Sequence, residues 1–141
     1  MYKNIGEKLK SLDWKIILTH SLITFVLVFS VGISILFVSF VVVGSILGVA
    51  RSAFLIMDAM ILIVYPLAYW LGGKYASKYI KDNYTVKNKK ELIIVSMLFL
   101  IIFAGGYRVY SFVVSGFMIE SVAIILGFVA LYFSNKKYLS N

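Results

Sequence analysis

Apolar residues fill four long stretches of the chain, and charged residues fall almost entirely between them. The first stretch is the longest, with 35 uncharged residues between Lys15 and Arg51. A helix needs about 20 apolar residues to cross a hydrocarbon core of about 30 Å. The run is therefore too long for one ordinary span and too short for two with a turn. It predicts a first helix over 14–43 that turns at Gly44-Ser45. A second span is expected over 52–71, ending at Gly72-Gly73, and a third over 92–108, short unless the helix continues through GGYRVY. A fourth fits 111–133. The predicted fold class is all-α: a polytopic integral membrane four-helix bundle of two helical hairpins, in a single domain over 1–141.

Composition points the same way. The chain is 62% hydrophobic and 14% charged, with a mean hydropathy of +0.97. A soluble domain usually carries about a quarter charged residues. The net charge of +8 raises the question of nucleic acid, but the distribution answers it. Four lysines precede the first run, six lie in the loop 74–90, and Lys136 and Lys137 follow the last run. Lysines that flank spans orient a membrane protein and meet anionic lipid. The expected partner is thus the lipid bilayer, with no nucleic acid.

The same bias sets orientation. Both termini and the basic loop hold all twelve lysines, so they are predicted to be cytoplasmic, with Arg51 and Arg108 in the two outer turns. Trp14 and Trp70 are expected at the inner boundary, and Tyr107 and Tyr110 at the outer one. The location expected is the cell membrane, multi-pass. The first apolar run outlasts the 7–15 residues of a signal-peptide core and reads as a retained span. Ile5, Leu9 and Leu12 share a face that suits an interfacial segment, and 74–81 extends helix two beyond the bilayer.

Two acids interrupt the apolar runs, Asp58 and Glu120. An acid at mid-bilayer costs roughly 2.5–3.5 kcal/mol on insertion scales. Glu120 follows Arg108 by twelve residues and precedes Lys136 by sixteen, which predicts a position near the middle of its span. Gly116, Ala123, Gly127 and Ala130 share its face, a small-residue stripe that lets another helix approach closely. Two readings fit it: a neutral hydrogen-bonding strut, or a proton- or cation-binding group. Asp58 shares a face with Arg51, Tyr65 and Tyr69, with Pro66 interrupting the same helix. That stripe reads either as a lined pathway or as an acid near outer water with packed tyrosines. Arg51 and Arg108 either snorkel to lipid phosphate or complement the acids between helices.

The remaining chemistry is sparse. The single His20 has Thr24 and Ser34 on its face and reads as a packed or interfacial histidine. With no cysteine, one histidine makes no typical zinc or bis-histidine haem site, so no metal and no cofactor are expected. Phosphate loops, dinucleotide fingerprints and HExxH helices do not occur in the sequence. The leading expectation is conduction or proton/cation-coupled transport of a small ion or solute through a polar core of Glu120, Asp58, Tyr65, Tyr69, Arg51 and Arg108. The protein would act as a homo-oligomer or with a membrane partner. The alternative is a non-catalytic accessory subunit of a larger membrane complex, and a membrane enzyme ranks third.

Overall fold

In a computed structural model, residues 13–47, 51–115 and 118–140 are described; within the helices, the side chains of residues 47, 51–55, 57, 58, 103–115, 118, 120 and 140 are not. The expectations for Ile5, Leu9, Leu12 and Gly116 fall outside these residues. So do those for the side chains of Arg51, Asp58, Arg108 and Glu120.

The described chain is all helix and loop, with no strand among the described residues. Helix α1 is Trp14–Leu47, α2 Arg51–Asn83, α3 Lys89–Ser115 and α4 Met118–Ser140. Capping explains two of the starts. Asp13 Oδ1 accepts from the Ile16 N–H at 3.4 Å, and Asn88 Oδ1 accepts from the Glu91 N–H at 3.3 Å. Each satisfies one orphan donor of a first turn, as Asp and Asn do at this position. Helix α2 continues through both glycines and closes where the Asn83 amide donates to the Tyr79 carbonyl at 2.9 Å.

Three helix ends differ from expectation. Helix α1 continues through the predicted turn at Gly44-Ser45 to Leu47. Helix α3 runs through Gly105-Gly106 and Arg108 to Ser115, so Arg108 lies within a helix rather than in a turn. Helix α4 starts at Met118, which puts Glu120 in its first turn rather than its middle. A glycine pair costs about 1 kcal/mol per residue in a helix interior.

Helix α2 packs most extensively against α4, then against α1; α3 completes the ring through lesser contacts with α1 and α4. The contacts fix direction. Tyr69 meets Gly127, Gly73 meets Leu131, and Ser77 meets Asn135, so α2 and α4 run parallel with a constant offset. Thr24 and Val28 of α1 meet Gly72, whereas Ile17 clusters with Ile80, so α1 opposes α2. The bundle therefore alternates in direction along the chain.

Two apolar layers build the core. At the end bearing the α2–α3 loop lie Ile16, Ile17, Ile80, Leu92, Ile93 and Leu139. Further along sit Tyr69, Leu100 and Leu131, flanked by Val28, Tyr65, Met97 and Phe128. Glycines make the helix contacts close. A Cβ on Gly127 would stand 2.6 Å from Tyr69 Cδ2, and one on Gly72 would stand 2.8 Å from Val28 Cγ2. Ala123 and Gly127 of the predicted small-residue stripe are buried, while Ala130 is partly buried.

Helices α1 and α4 are long and apolar enough to cross a membrane by length and composition. Only 6% of the most apolar window of α1 is buried within the protein. A core helix of a soluble protein would be mostly covered. Here Leu22 is 64% and Phe37 67% exposed.

Candidate functional site

Between the two apolar layers lies a polar one, to which all four helices contribute. It consists of His20, Ser21 and Thr24 from α1, Ser77 from α2, Ser96 from α3, and Ser134 and Asn135 from α4. His20, Ser77 and Asn135 are each 0% exposed. Their bonds link three helices: Ser77 Oγ donates to Asn135 Oδ1 at 2.9 Å, and His20 Nε2 lies 3.4 Å from the same hydroxyl. A serine hydroxyl has one hydrogen. With that hydrogen given to Asn135, the longer contact is a donation from His20 Nε2–H, which leaves Nδ1 bare.

The layer is held in place from its edges. Thr24 Oγ1 donates back to the His20 carbonyl at 2.8 Å, and Ser134 Oγ donates across helices to the Trp70 carbonyl at 2.8 Å. Gly73 faces Asn135: a Cβ there would lie 2.9 Å from Asn135 Oδ1 and 2.8 Å from Leu131 Cδ1. The glycine is thus what admits the amide between α2 and α4. Three buried polar atoms have no partner among the described residues: His20 Nδ1, Ser21 Oγ and Asn135 Nδ2. Leaving such a group unmet costs about 1–3 kcal/mol. The layer therefore keeps unused capacity for a proton or a hydrogen bond.

His20 is the one member that stands out in the sequence, where it reads as a lone packed residue. It is packed, as expected, but it is not alone. Ser77 and Asn135 follow their apolar runs, in segments that look solvated because lysines surround them. One signal was present. Ser77 and Ser96 stand at similar distances on either side of the α2–α3 loop, which sets them at one depth if both flanks are helical.

Of the residues expected to line a polar path, Tyr65 and Tyr69 are the two whose side chains are described. Both belong to the apolar layer: Tyr69 is buried against Leu100, Leu131 and Gly127, with its ring 5.1 Å from that of Phe128.

Backbone register carries information about the acids. The offset that pairs Tyr69 with Gly127 and Ser77 with Asn135 sets Glu120 level with Leu62, one turn from Asp58. Leu100 is level with Tyr69, and eight residues of rise set Arg108 at nearly the same height as Glu120. At 1.5 Å per residue, these positions lie about 15–20 Å from the Gly72 level. Arg108 and Glu120 thus fall at nearly one level along the bundle axis, with Asp58 about one turn away.

Register also separates the tryptophans. Gly72 is level with Thr24, so Trp14 lies ten residues, or about 15 Å, further toward the loop end than the Trp70 region. The two tryptophans, expected at one boundary, thus stand at different heights along the bundle. Trp70 instead belongs to an aromatic and cationic group: its ring lies 6.3 Å from that of Tyr138, and Lys137 Nζ is 6.0 Å from the Trp70 centroid.

No family model, curated protein or solved structure matches the chain.

Proposed function

We propose that the chain is a multi-pass protein of the cell membrane with both termini in the cytoplasm, carrying proton- or cation-coupled movement of a small ion or solute. Membrane residence is supported by the uncovered apolar surface of α1, which water would penalise at about 25 cal/mol per Å². On this reading the hydrocarbon begins near Gly72 and Thr24. From Thr24 to Leu47 and from Gly72 back to Arg51 are each a little over 20 residues, enough for about 30 Å. The 34 residues of α1 then divide into a span and a stub of about 15 Å on the cytoplasmic side. The polar layer of His20, Ser77 and Asn135 sits in that stub, just inside the basic boundary.

The observation that carries the transport reading is the similar depth of Asp58, Arg108 and Glu120 on α2, α3 and α4. That depth lies about 15–20 Å beyond the proposed boundary at Gly72, within the apolar part of α2, where ionisable residues are costly and serve ion or proton pathways by default. The test is flux in purified proteoliposomes. Glu120→Gln keeps shape and hydrogen-bonding capacity but cannot exchange a proton, so assembly should persist while coupled flux is lost. Unchanged flux across a pH series would leave Glu120 as structure. An acid in a first helical turn is in any case favoured by the helix dipole.

A second reading, an accessory subunit of a larger membrane complex, is favoured by the packing of Tyr65 and Tyr69 against apolar side chains. It predicts no flux and a co-purifying partner.

Topology has its own test, helped by the absence of cysteine in the sequence. Single cysteines at Asn4, Asn88 and Ser140 should be shielded from an impermeant thiol reagent in intact cells. A cysteine at Phe117, between α3 and α4 in sequence, should label. Labelling at Asn88 from outside would overturn the four-span arrangement.

A further inference from the structure

Lys74 and Lys137 converge on one tyrosine. Their Nζ atoms lie 5.8 Å and 5.5 Å from the Tyr138 ring centroid, one reaching from α2 and the other from α4. Lys74 Nζ is also 5.4 Å from the Tyr75 ring, and Lys137 Nζ is 6.0 Å from that of Trp70. An exposed cation–π contact returns only about 0.5–1 kcal/mol. Among the described residues, neither ammonium has a carboxylate partner. Lys137 is exposed, while Lys74, Trp70 and Tyr138 are partly exposed. The group is thus open, doubly positive and walled by aromatic rings on the outer side of the α2–α4 contact.

Its height matters as much as its charge. Trp70 is within one turn of Gly72, where helix length sets the edge of the hydrocarbon. Trp and Tyr rings concentrate at headgroup level, and lysines there meet lipid phosphate. Charge, ring chemistry and depth point to a single occupant. We propose that Lys74 and Lys137, framed by Trp70 and Tyr138, clasp the phosphate of one anionic phospholipid in the cytoplasmic leaflet, on the reading above that the bundle spans a bilayer. The ammonium groups supply two charge-assisted hydrogen bonds, and the lipid glycerol and upper chains lie along the Trp70 face.

Trp70 is itself the reporter. In a Trp14→Phe background it is the sole indole, because the chain has two tryptophans. The protein is reconstituted into phosphatidylcholine vesicles containing a minor fraction of chain-brominated lipid, either phosphatidylglycerol or phosphatidylcholine. Brominated phosphatidylglycerol should quench Trp70 at lower mole fraction, with a preference of roughly fivefold for each contacting lysine. Lys74→Gln and Lys137→Gln should each remove about one such factor, and the double variant should show no preference. Lys89→Gln, at the far end of the stub, should leave the preference as it was. Equal quenching by the two lipids overturns the clasp. Loss of the preference in millimolar glycerol phosphate would assign the site to soluble phosphate esters and overturn the lipid. Recovery of the protein outside the vesicle fraction after alkaline carbonate extraction would overturn the membrane reading itself, an outcome distinct from equal quenching.

Discussion

Gly127→Leu should destabilise the bundle by about 3 kcal/mol, at the upper end of overpacking costs, while Val129→Leu should be nearly neutral. The difference comes from what each side chain meets. A Cβ at position 127 already falls 2.6 Å from Tyr69 Cδ2 and 3.0 Å from Cε2, before any branch is added. Tyr69 has no easy retreat, because it is buried against Leu100 and Leu131 and its ring packs on Phe128. The backbones of α2 and α4 must therefore separate, and this is the most extensive helix contact in the protein. Val129 is 48% exposed and gains its extra carbon in open surroundings. Unfolding in a graded denaturing detergent, followed by helix content, reads the comparison. Coincident transitions for the two variants would mean that α2 and α4 do not pack at Gly127.

Ser77→Ala should cost about 2–3 kcal/mol, against less than about 1 kcal/mol for Ser96→Ala. The two serines make a matched pair, since each is fully buried and each loses the same single atom. Their partners differ. Ser96 Oγ donates only to the Ile93 carbonyl of its own helix, at 3.1 Å, and that carbonyl keeps its helical bond. Ser77 Oγ stands between Asn135 Oδ1 and His20 Nε2, so its removal strands two buried polar groups at once. A buried network is worth more than its separate bonds because each group depends on the next. The double variant Ser77→Ala with Asn135→Ala should recover part of the loss, since it removes one stranded acceptor. Strict additivity of the two losses would show that the hydroxyl and the amide are not coupled.

These predictions concern residues of unequal visibility in the sequence. The four helices were legible from apolar runs, while the caps at Asp13 and Asn88 that set two of their starts came only from the structure. Gly127 and Ala123 were legible as a close-contact stripe, since residues three and four apart share a helical face. The excess length of the first apolar run was also legible as a puzzle: 35 uncharged residues do not suit one span or two. Its proposed resolution, a span continued by a cytoplasmic stub, needed the level of Thr24 against Gly72. The same contact separated Trp14 from Trp70, which sequence reading had put in one plane because both stand beside lysines.

What the sequence determined by itself is local: which segments are helical, which faces are apolar, where charge is excluded, and which chemistries lack their residues. What only the tertiary structure decided is how the helices are turned and slid against one another. That choice gathered His20, Ser77 and Asn135 into one layer and sent Tyr69 onto Gly127. The physical reason is that helical periodicity is nearly unchanged by sliding a helix along its axis. Register is set instead by contacts between residues some sixty positions apart, where a glycine such as Gly73 makes room and a polar side chain such as Asn135 finds a partner.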